Sequence, residues 1–399
     1  MKRSLALLLA ALLMLSLAAC SPAPADTPAD APSAAAFPEP SVEPAMVLAP
    51  TPEPTPEPTP EPTPTPVPMR TRYVIEEDTL SAPAPDESCY GVISLDEPEK
   101  ALELIDRARE LGLLREDEAV VFDPAVEFYR GADREDIEYY LDETILVICW
   151  KEVVDGCCCS YAEVKIADPS QFRRKLAGDA FDPPQRALST EMHAQTNAVL
   201  SLNADFYQNR DVGLMVYDRT LYRFPEYTYL GDYTYSSCLE NCFVNSRGEF
   251  LFTDLGQNFT REEMEQYIAE NDILFSIAFG PVLIRDGEAQ TCDWYPVGEA
   301  TQIYSRAGIG WVDDLHYLYM SLNHCPEKAG SWTVTEFASH FAEKDAVRWA
   351  YCLDGGQTGE MVFRGRAYNH IDFGWERTVS DNIYFGTAIG ATEILEPVE

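Results

Sequence analysis

The sequence predicts an α+β fold built mainly from antiparallel sheets with a few interspersed helices, and two observations carry that reading. The first is a series of apolar runs joined through tight-turn signals. Thr144 to Trp150 and Tyr161 to Ile166 flank Asp155-Gly156, Phe243 to Phe252 surrounds Asn245-Ser246-Arg247-Gly248, and Val282 to Ala289 surrounds Asp286-Gly287. Such turns between apolar runs are hairpin signals. The second is how few helices interrupt them. Pro98 to Leu114 sets Leu102, Ile105 and Leu111 on one stripe behind the acidic start Asp96-Glu97, and Ser189 to Thr196 reads as a short helix. Thr260 with Glu263 and Thr333 with Glu336 form capping boxes that open Arg261 to Asn271 and Val334 to Lys344. In the last of these Phe337 and Phe341 share a face, with His340 beside them as a surface or packing residue. Many strands with few helices between them point to α+β.

The chain divides by composition. Residues 1–20 read as a secretion signal: Lys2 and Arg3 lead an apolar run, Leu5 to Leu17, that is short for a bilayer span. Its end, Leu17-Ala18-Ala19-Cys20, resembles the bacterial lipobox, which implies lipidation of Cys20. Residues 21–85 read as a tether of Pro, Ala, Thr, Ser and Glu, with Thr-Pro-Glu-Pro three times between Thr51 and Pro62. This composition buries too little apolar surface to fold. Extended at roughly 3.1 Å per residue, Thr51 to Pro68 reaches on the order of 50 Å. The expectation is a protein on the outer face of a bacterial membrane, held there by lipid. Residues 86–143 read as an extension or accessory segment, and 144–399 as the main domain.

The formal charge is −38 over 399 residues. Nucleic-acid binding rests on Lys and Arg neutralising phosphates, so no nucleic-acid partner is expected. Any phosphate on a substrate would have to meet a local positive field. The eleven cysteines include Cys157-Cys158-Cys159 in a row and none of the paired C-x-x-C spacing of a zinc site. Export permits disulfides, but the spacing gives no connectivity.

Five segments put polar groups at the ends of apolar runs. They are Asn203-Ala204-Asp205-Phe206-Tyr207, Phe279-Gly280-Pro281, Ser305-Arg306-Ala307-Gly308-Ile309-Gly310, Asp354-Gly355-Gly356-Gln357-Thr358-Gly359, and Asn369 followed by Glu376-Arg377-Thr378-Val379-Ser380-Asp381. Singly, each also reads as a cap, a bend or a surface pair. Together they have the residue types for a phosphorylated sugar. Arginine recognises phosphate oxygens, glycine-loop amides do the same, and carboxylates stabilise an oxocarbenium-like centre or activate water.

In order and content these segments resemble the phosphodiester glycosidase family over roughly Thr144 to Phe385. Asn203-Ala204-Asp205-Phe206-Tyr207 is similar to the family's Asn-Gly-Asp/Gly-Phe/Tyr stretch, and Val212 to Arg223 to its next hairpin. Phe279-Gly280-Pro281 resembles its Phe-Gly-Pro turn, Arg306 to Gly310 its Arg-Thr-Ala-Ile-Gly, and Leu353 to Thr358 its Leu-Asp-Gly-Gly-Gly-Ser loop, with Asn369 at the place of a later asparagine. Ala204 and Gln357 replace glycines and Thr358 a serine, while Gly359 and Glu360 stand where small hydroxyl residues are common. Glu360 adds negative charge near the expected phosphate. The resemblance implies a hydrolase that cleaves the glycosyl C–O bond of a sugar-1-phosphodiester in envelope glycan or exopolysaccharide, with Asp205, Arg306 and Asp354 catalytic. It implies that Asn203, Gly280, Gly355, Gly356, Gln357, Thr358, Asn369 and Arg377 bind substrate. A phosphate monoester leaves more readily than an alcohol, so the two-carboxylate spacing of ordinary glycosidases is not required. No cofactor is required by this chemistry. Asp205 and Asp354 offer oxygen donors to a divalent cation, but spacing supplies no ligand set. The alternatives are a non-catalytic lipoprotein that binds surface glycan with the same pocket, and a phosphodiesterase that cuts P–O.

Overall fold

Strand Ile145–Val154 shows how the core is organised. It is buried from Ile145 to Glu152, with Ile148 and Trp150 in one apolar cluster and Val147 and Cys149 in another. A strand covered on both faces reads as a continuous apolar run rather than an alternation. It lies inside a nine-stranded sheet whose order is Glu288–Ala289, Val282–Arg285, Trp349–Leu353, Arg306–Asp313, His316–Leu322, Cys157–Ile166, Ile145–Val154, Ile137–Leu141 and Tyr90–Ile93. The computed structural model describes residues 68–398 except 132–135, 206–212, 225–226, 231–232, 237–238, 258, 297–300 and 324–329. Among the described residues every strand pairing is antiparallel.

One face of the large sheet carries α1 (Lys100–Glu110) and α4 (Val334–Ala342), whose Ile105, Phe337 and Phe341 join Ile148, Trp150 and Leu318. Against the other face lie two five-stranded sheets. One contains Leu200–Asn203, Met361–Phe363, Asp381–Phe385 and Phe172–Leu176; the other contains Cys242–Asn245 and Ile273–Ile277. Helices α2 (Ser189–Thr196) and α3 (Arg261–Glu270) complete the set among the described residues, and the Thr260 and Thr333 boxes form as the sequence predicts. The α+β reading with antiparallel pairing holds. The stripe of α1 differs: Ala101, Ile105 and Ala108 are buried, while Leu102 is exposed. Small residues let this helix sit close to the sheet, so the larger leucine is left to solvent. His340 packs on Trp332 with ring centroids 4.2 Å apart.

Two of the predicted boundaries differ from the structure. Residues placed in the tether up to 85 are partly ordered: Met69–Val74 pairs antiparallel with Thr392–Pro397, and Ile75 and Ala82 are buried with Ala388. The segment 86–143 is part of the main body, because Tyr90–Ile93 and Ile137–Leu141 close one edge of the large sheet. The signal segment, Cys20 and the tether as far as 67 lie outside the described residues, as do Phe206, Tyr207 and Val212. Among the described residues Cys89, Cys149, Cys159, Cys242, Cys292 and Cys352 are free thiols. No described helix is long and apolar enough to cross a membrane.

A buried ionic network pins the chain after α1 to the sheet. His316 sits between two carboxylates, Nδ1 3.1 Å from Glu118 and Nε2 2.9 Å from Glu163, and Lys165 Nζ lies 2.6 Å from Glu118. Glu163 also accepts the Val121 and Phe122 N–H groups, and Arg115 approaches Glu118 to 3.6 Å. Burial opposes the imidazolium, but the hydrogen bonds to both carboxylates outweigh it and hold the His316 pKa above its ordinary 6.5. Burial likewise opposes the Glu118 charge, yet bonds from His316 and Lys165 bring its pKa down to about 2. The histidine's contribution is therefore complete below pH 6.5 and is lost as pH rises through its raised value. That of Glu118 is complete above its ordinary 4.5 and is lost as pH falls toward 2. His316→Asn is expected to cost about 3–5 kcal/mol of stability near pH 6, and less at pH 9, measured by calorimetric unfolding at the two pH values.

Candidate functional site

The large sheet brings Arg306 and Asp354 together through strand register. Ala307 pairs with Leu353 in antiparallel strands, so the next positions, Arg306 and Asp354, face each other where the strands end. Leu322 lies opposite Arg306 on the other side, which delivers Asn323 to the same edge. The smaller sheet approaches this edge with Asn203, paired in register with Asn382. Around Arg306 and Asp354 opens a cavity of about 510 Å³ whose wall includes Tyr304, Gly355, Gly356, Asp372 and Phe373.

The loop after Asp354 is held by side-chain amides. Asn203 Nδ2 donates to the Asp354 carbonyl, Asn323 Nδ2 to the Gly356 carbonyl at 2.9 Å, and Asn369 Nδ2 to the Gly359 carbonyl at 2.7 Å. Asn369 is braced in turn by Asn323 Oδ1 and by the Met361 N–H. A trans peptide sets its N–H opposite its C=O. Holding the carbonyls of Asp354 and Gly356 on amides therefore turns the N–H groups of Gly355 and Gln357 to the other side, where an anion can accept them. Two glycines are needed for separate reasons. A Cβ on Gly355 would lie 2.1 Å from the Ser305 carbonyl oxygen, and Gly356 has φ +65°.

Arg306 is 5% exposed. Its Nε donates to the Trp332 carbonyl at 2.9 Å and its Nη2 to the Gln302 carbonyl at 2.6 Å, and the guanidinium lies 5.7 Å from the Tyr304 ring centre. It therefore gives the cavity a fixed positive charge more than an open two-pronged fork. Asp354 is half-buried.

Asp205 is not among the cavity-lining residues. It lies in a buried network where Arg174 Nη2 is 3.1 Å from Asp205 and Arg174 is 2.7 Å from Asp381, with the Ala278 N–H donating to Asp205 at 3.2 Å. Burial, with Asp205 beside it, pushes the Asp381 pKa up to about 7 despite the arginine. Arg174 also donates to the Ser276 carbonyl, so the network ties three strands beneath the site.

Several residues read as substrate ligands are occupied within the protein. The Gly280 N–H donates to the Cys352 carbonyl, Thr358 Oγ1 to the Gly355 carbonyl, and Gln357 Nε2 to the Trp375 carbonyl. Asn203 also accepts the Tyr319 hydroxyl, and Asn369 is committed as described. These residues shape the loop. Arg377 is exposed and does not line the cavity. Glu360 adds no charge to the cavity wall: its carboxyl is buried and turned toward Glu376. Among the described residues no group of three His, Cys, Asp or Glu is placed to hold a metal ion.

Sequence reasoning missed Tyr304, Asn323, Asp372, Phe373 and Arg174. Asn323 carries the same signal as Asn203, an amide at the end of an apolar strand. Asp372 and Phe373 sit in an irregular loop with no period to mark them.

Residues 196–386 match the family model described as phosphodiester glycosidase. The chain is similar to a hypothetical protein from Synechocystis, at 14% identity and TM-score 0.44, over 63% of this chain and 64% of that one. It is also similar to the zebrafish N-acetylglucosamine-1-phosphodiester alpha-N-acetylglucosaminidase catalytic domain auto-inhibited by its pro-peptide, at 14% identity and TM-score 0.46, over 68% and 92%. A putative exported protein from Burkholderia pseudomallei matches at 11% identity and TM-score 0.37, over 81% and 97%. No curated protein matches the chain.

Proposed function

We propose, from the phosphodiester glycosidase-like domain that this chain carries, that the protein hydrolyses the bond between the anomeric carbon and the phosphate oxygen of a sugar-1-phosphodiester. The observation behind this reading is that Arg306 and Asp354 face each other in one cavity beside the glycine loop. Water attacks the anomeric carbon, the C–O bond breaks, and a phosphate monoester departs with the bonding pair. The departing dianion is stabilised by the fixed charge of Arg306 and the amides after Asp354. Asp354 steadies the cationic sugar or takes the proton of the attacking water. The substrate is a phosphorylated glycan of the cell envelope or exopolysaccharide, reached from a membrane anchor at Cys20 on the outer face of a bacterial cell.

Turnover of benzyl sugar-1-phosphodiesters in ¹⁸O-water tests the reaction. Label in the released sugar is the expected result. Label in the phosphate means P–O cleavage, and the absence of turnover across a panel of sugars leaves a glycan-binding module; either outcome removes the proposal.

A further inference from the structure

The two acidic and amide residues by which the glycine loop departs from the family pattern, Gln357 and Glu360, both reach the same neighbouring segment. Residues 371–376 contribute Asp372 and Phe373 to the cavity wall. This segment is held under strain, because Phe373 has φ +69° and is 80% exposed. A bulky residue in the left-handed region is strained and persists only where its surroundings fix it. Gln357 Nε2 donates to the Trp375 carbonyl at 3.1 Å, and Thr190 Oγ1 of α2 donates to Glu376 Oε2 at 2.8 Å. Glu360 and Glu376 lie in each other's field, and one oxygen of each carboxyl, Oε1, is buried and meets no donor among the described residues. Two carboxylates bond to each other only when one holds a proton.

We propose that Gln357 and Glu360 are positioning residues that clamp segment 371–376 as a roof over the cavity, through the amide bond to Trp375 and a single proton shared between Glu360 and Glu376. The roof sets Asp372 and Phe373 against the substrate, so the device rests on the reading of the cavity as a substrate site. Burial and the facing Glu376 raise the Glu360 pKa to about 9, with Ser189 as the opposing hydrogen-bonding influence. Tyr319, on a strand beneath, also lies in the field of Glu360 and in that of Asp354. Near neutral pH the pair is closed. As pH rises through about 9 the proton leaves, two like charges face each other, and the roof loosens.

Limited tryptic cleavage after exposed Arg377, scored against a cleavage elsewhere in the same chain, reads the roof without substrate. Cleavage tracks the population of the open form when closing is fast. E360A is expected to be cut about tenfold faster than wild type at pH 7.5. Wild type is expected to speed up similarly between pH 7.5 and 10. E360Q, which keeps a donor toward Glu376, is expected to stay slow at both. Equal rates for wild type and E360A at pH 7.5, or a wild-type pH response that E360Q retains, overturns the clamp. Should E360A not fold, Q357G carries the comparison: faster cleavage supports the clamp and an unchanged rate overturns it. An inactive wild type would remove the hydrolase reading and leave this result standing.

Discussion

Asp354→Asn is expected to lower kcat/KM for sugar release by about 10²–10⁴-fold, with little change in Tm. The contrast follows from how the residue is held. The loop is fixed through the Asp354 backbone carbonyl, which accepts from Asn203, and through the carbonyls of Gly356 and Gly359. An amide side chain leaves those bonds in place and keeps the shape of the carboxylate. It removes the negative charge opposite Arg306 and the group able to take a proton from water. Steady-state kinetics on a benzyl sugar-1-phosphodiester, with thermal unfolding of the same samples, checks both halves. Full activity in the variant would reassign the chemistry to another group on the cavity wall, with Asp372 the first to examine.

Arg174→Met is expected to have the opposite profile, a large loss of stability. Arg174 stands between Asp205 and Asp381, and all three side chains are almost wholly buried. Removing one partner of a buried ion set leaves uncompensated charge and costs about 3–5 kcal/mol. The sign with pH is fixed by Asp381. Its folded pKa, near 7, lies above the ordinary 3.8, so the folded state binds more protons than the unfolded state between those values. Stability from this group therefore falls as pH rises through that window. Without the arginine the effect grows, so the variant should regain stability on acidification from pH 7 to 5. Denaturant unfolding at both pH values measures it. A variant as stable as wild type at pH 7 would show that the three strands are held by other contacts.

How much of this was legible in the sequence follows from where each signal resides. Arg306 and Asp354 stood out because each sits at the limit of an apolar run, and antiparallel register did the rest. The capping boxes at Thr260 and Thr333 were legible because three residues contain the whole device. Asp205 was legible as a polar residue at a strand exit, but it pairs with Arg174, thirty-one positions earlier, which also holds Asp381, far downstream. Nothing local says that such a residue turns into the core rather than toward a ligand. Strand Phe172–Leu176 carries Arg173, Arg174 and Lys175 in a row, a pattern that hides a strand; its arginine is buried only because two distant carboxylates meet it. Gln357 and Glu360 were visible as departures, while their common target lay in an irregular segment with no periodicity. The proline-rich composition up to residue 85 masked Met69–Val74, whose partner strand is at the far end of the chain.

That pairing has a topological meaning. Met69 lies opposite Pro397, so the first and last strands of the described body leave it side by side. The backbone from Met69 to Pro397 is nearly a closed ring, with the cavity built from residues well inside it. A short peptide could ligate the two ends and new ones be opened at the exposed Asp286-Gly287 turn, a permutation that keeps every neighbour of Arg306 and Asp354. The order in which the chain delivers these residues is thus separable from the shape they make.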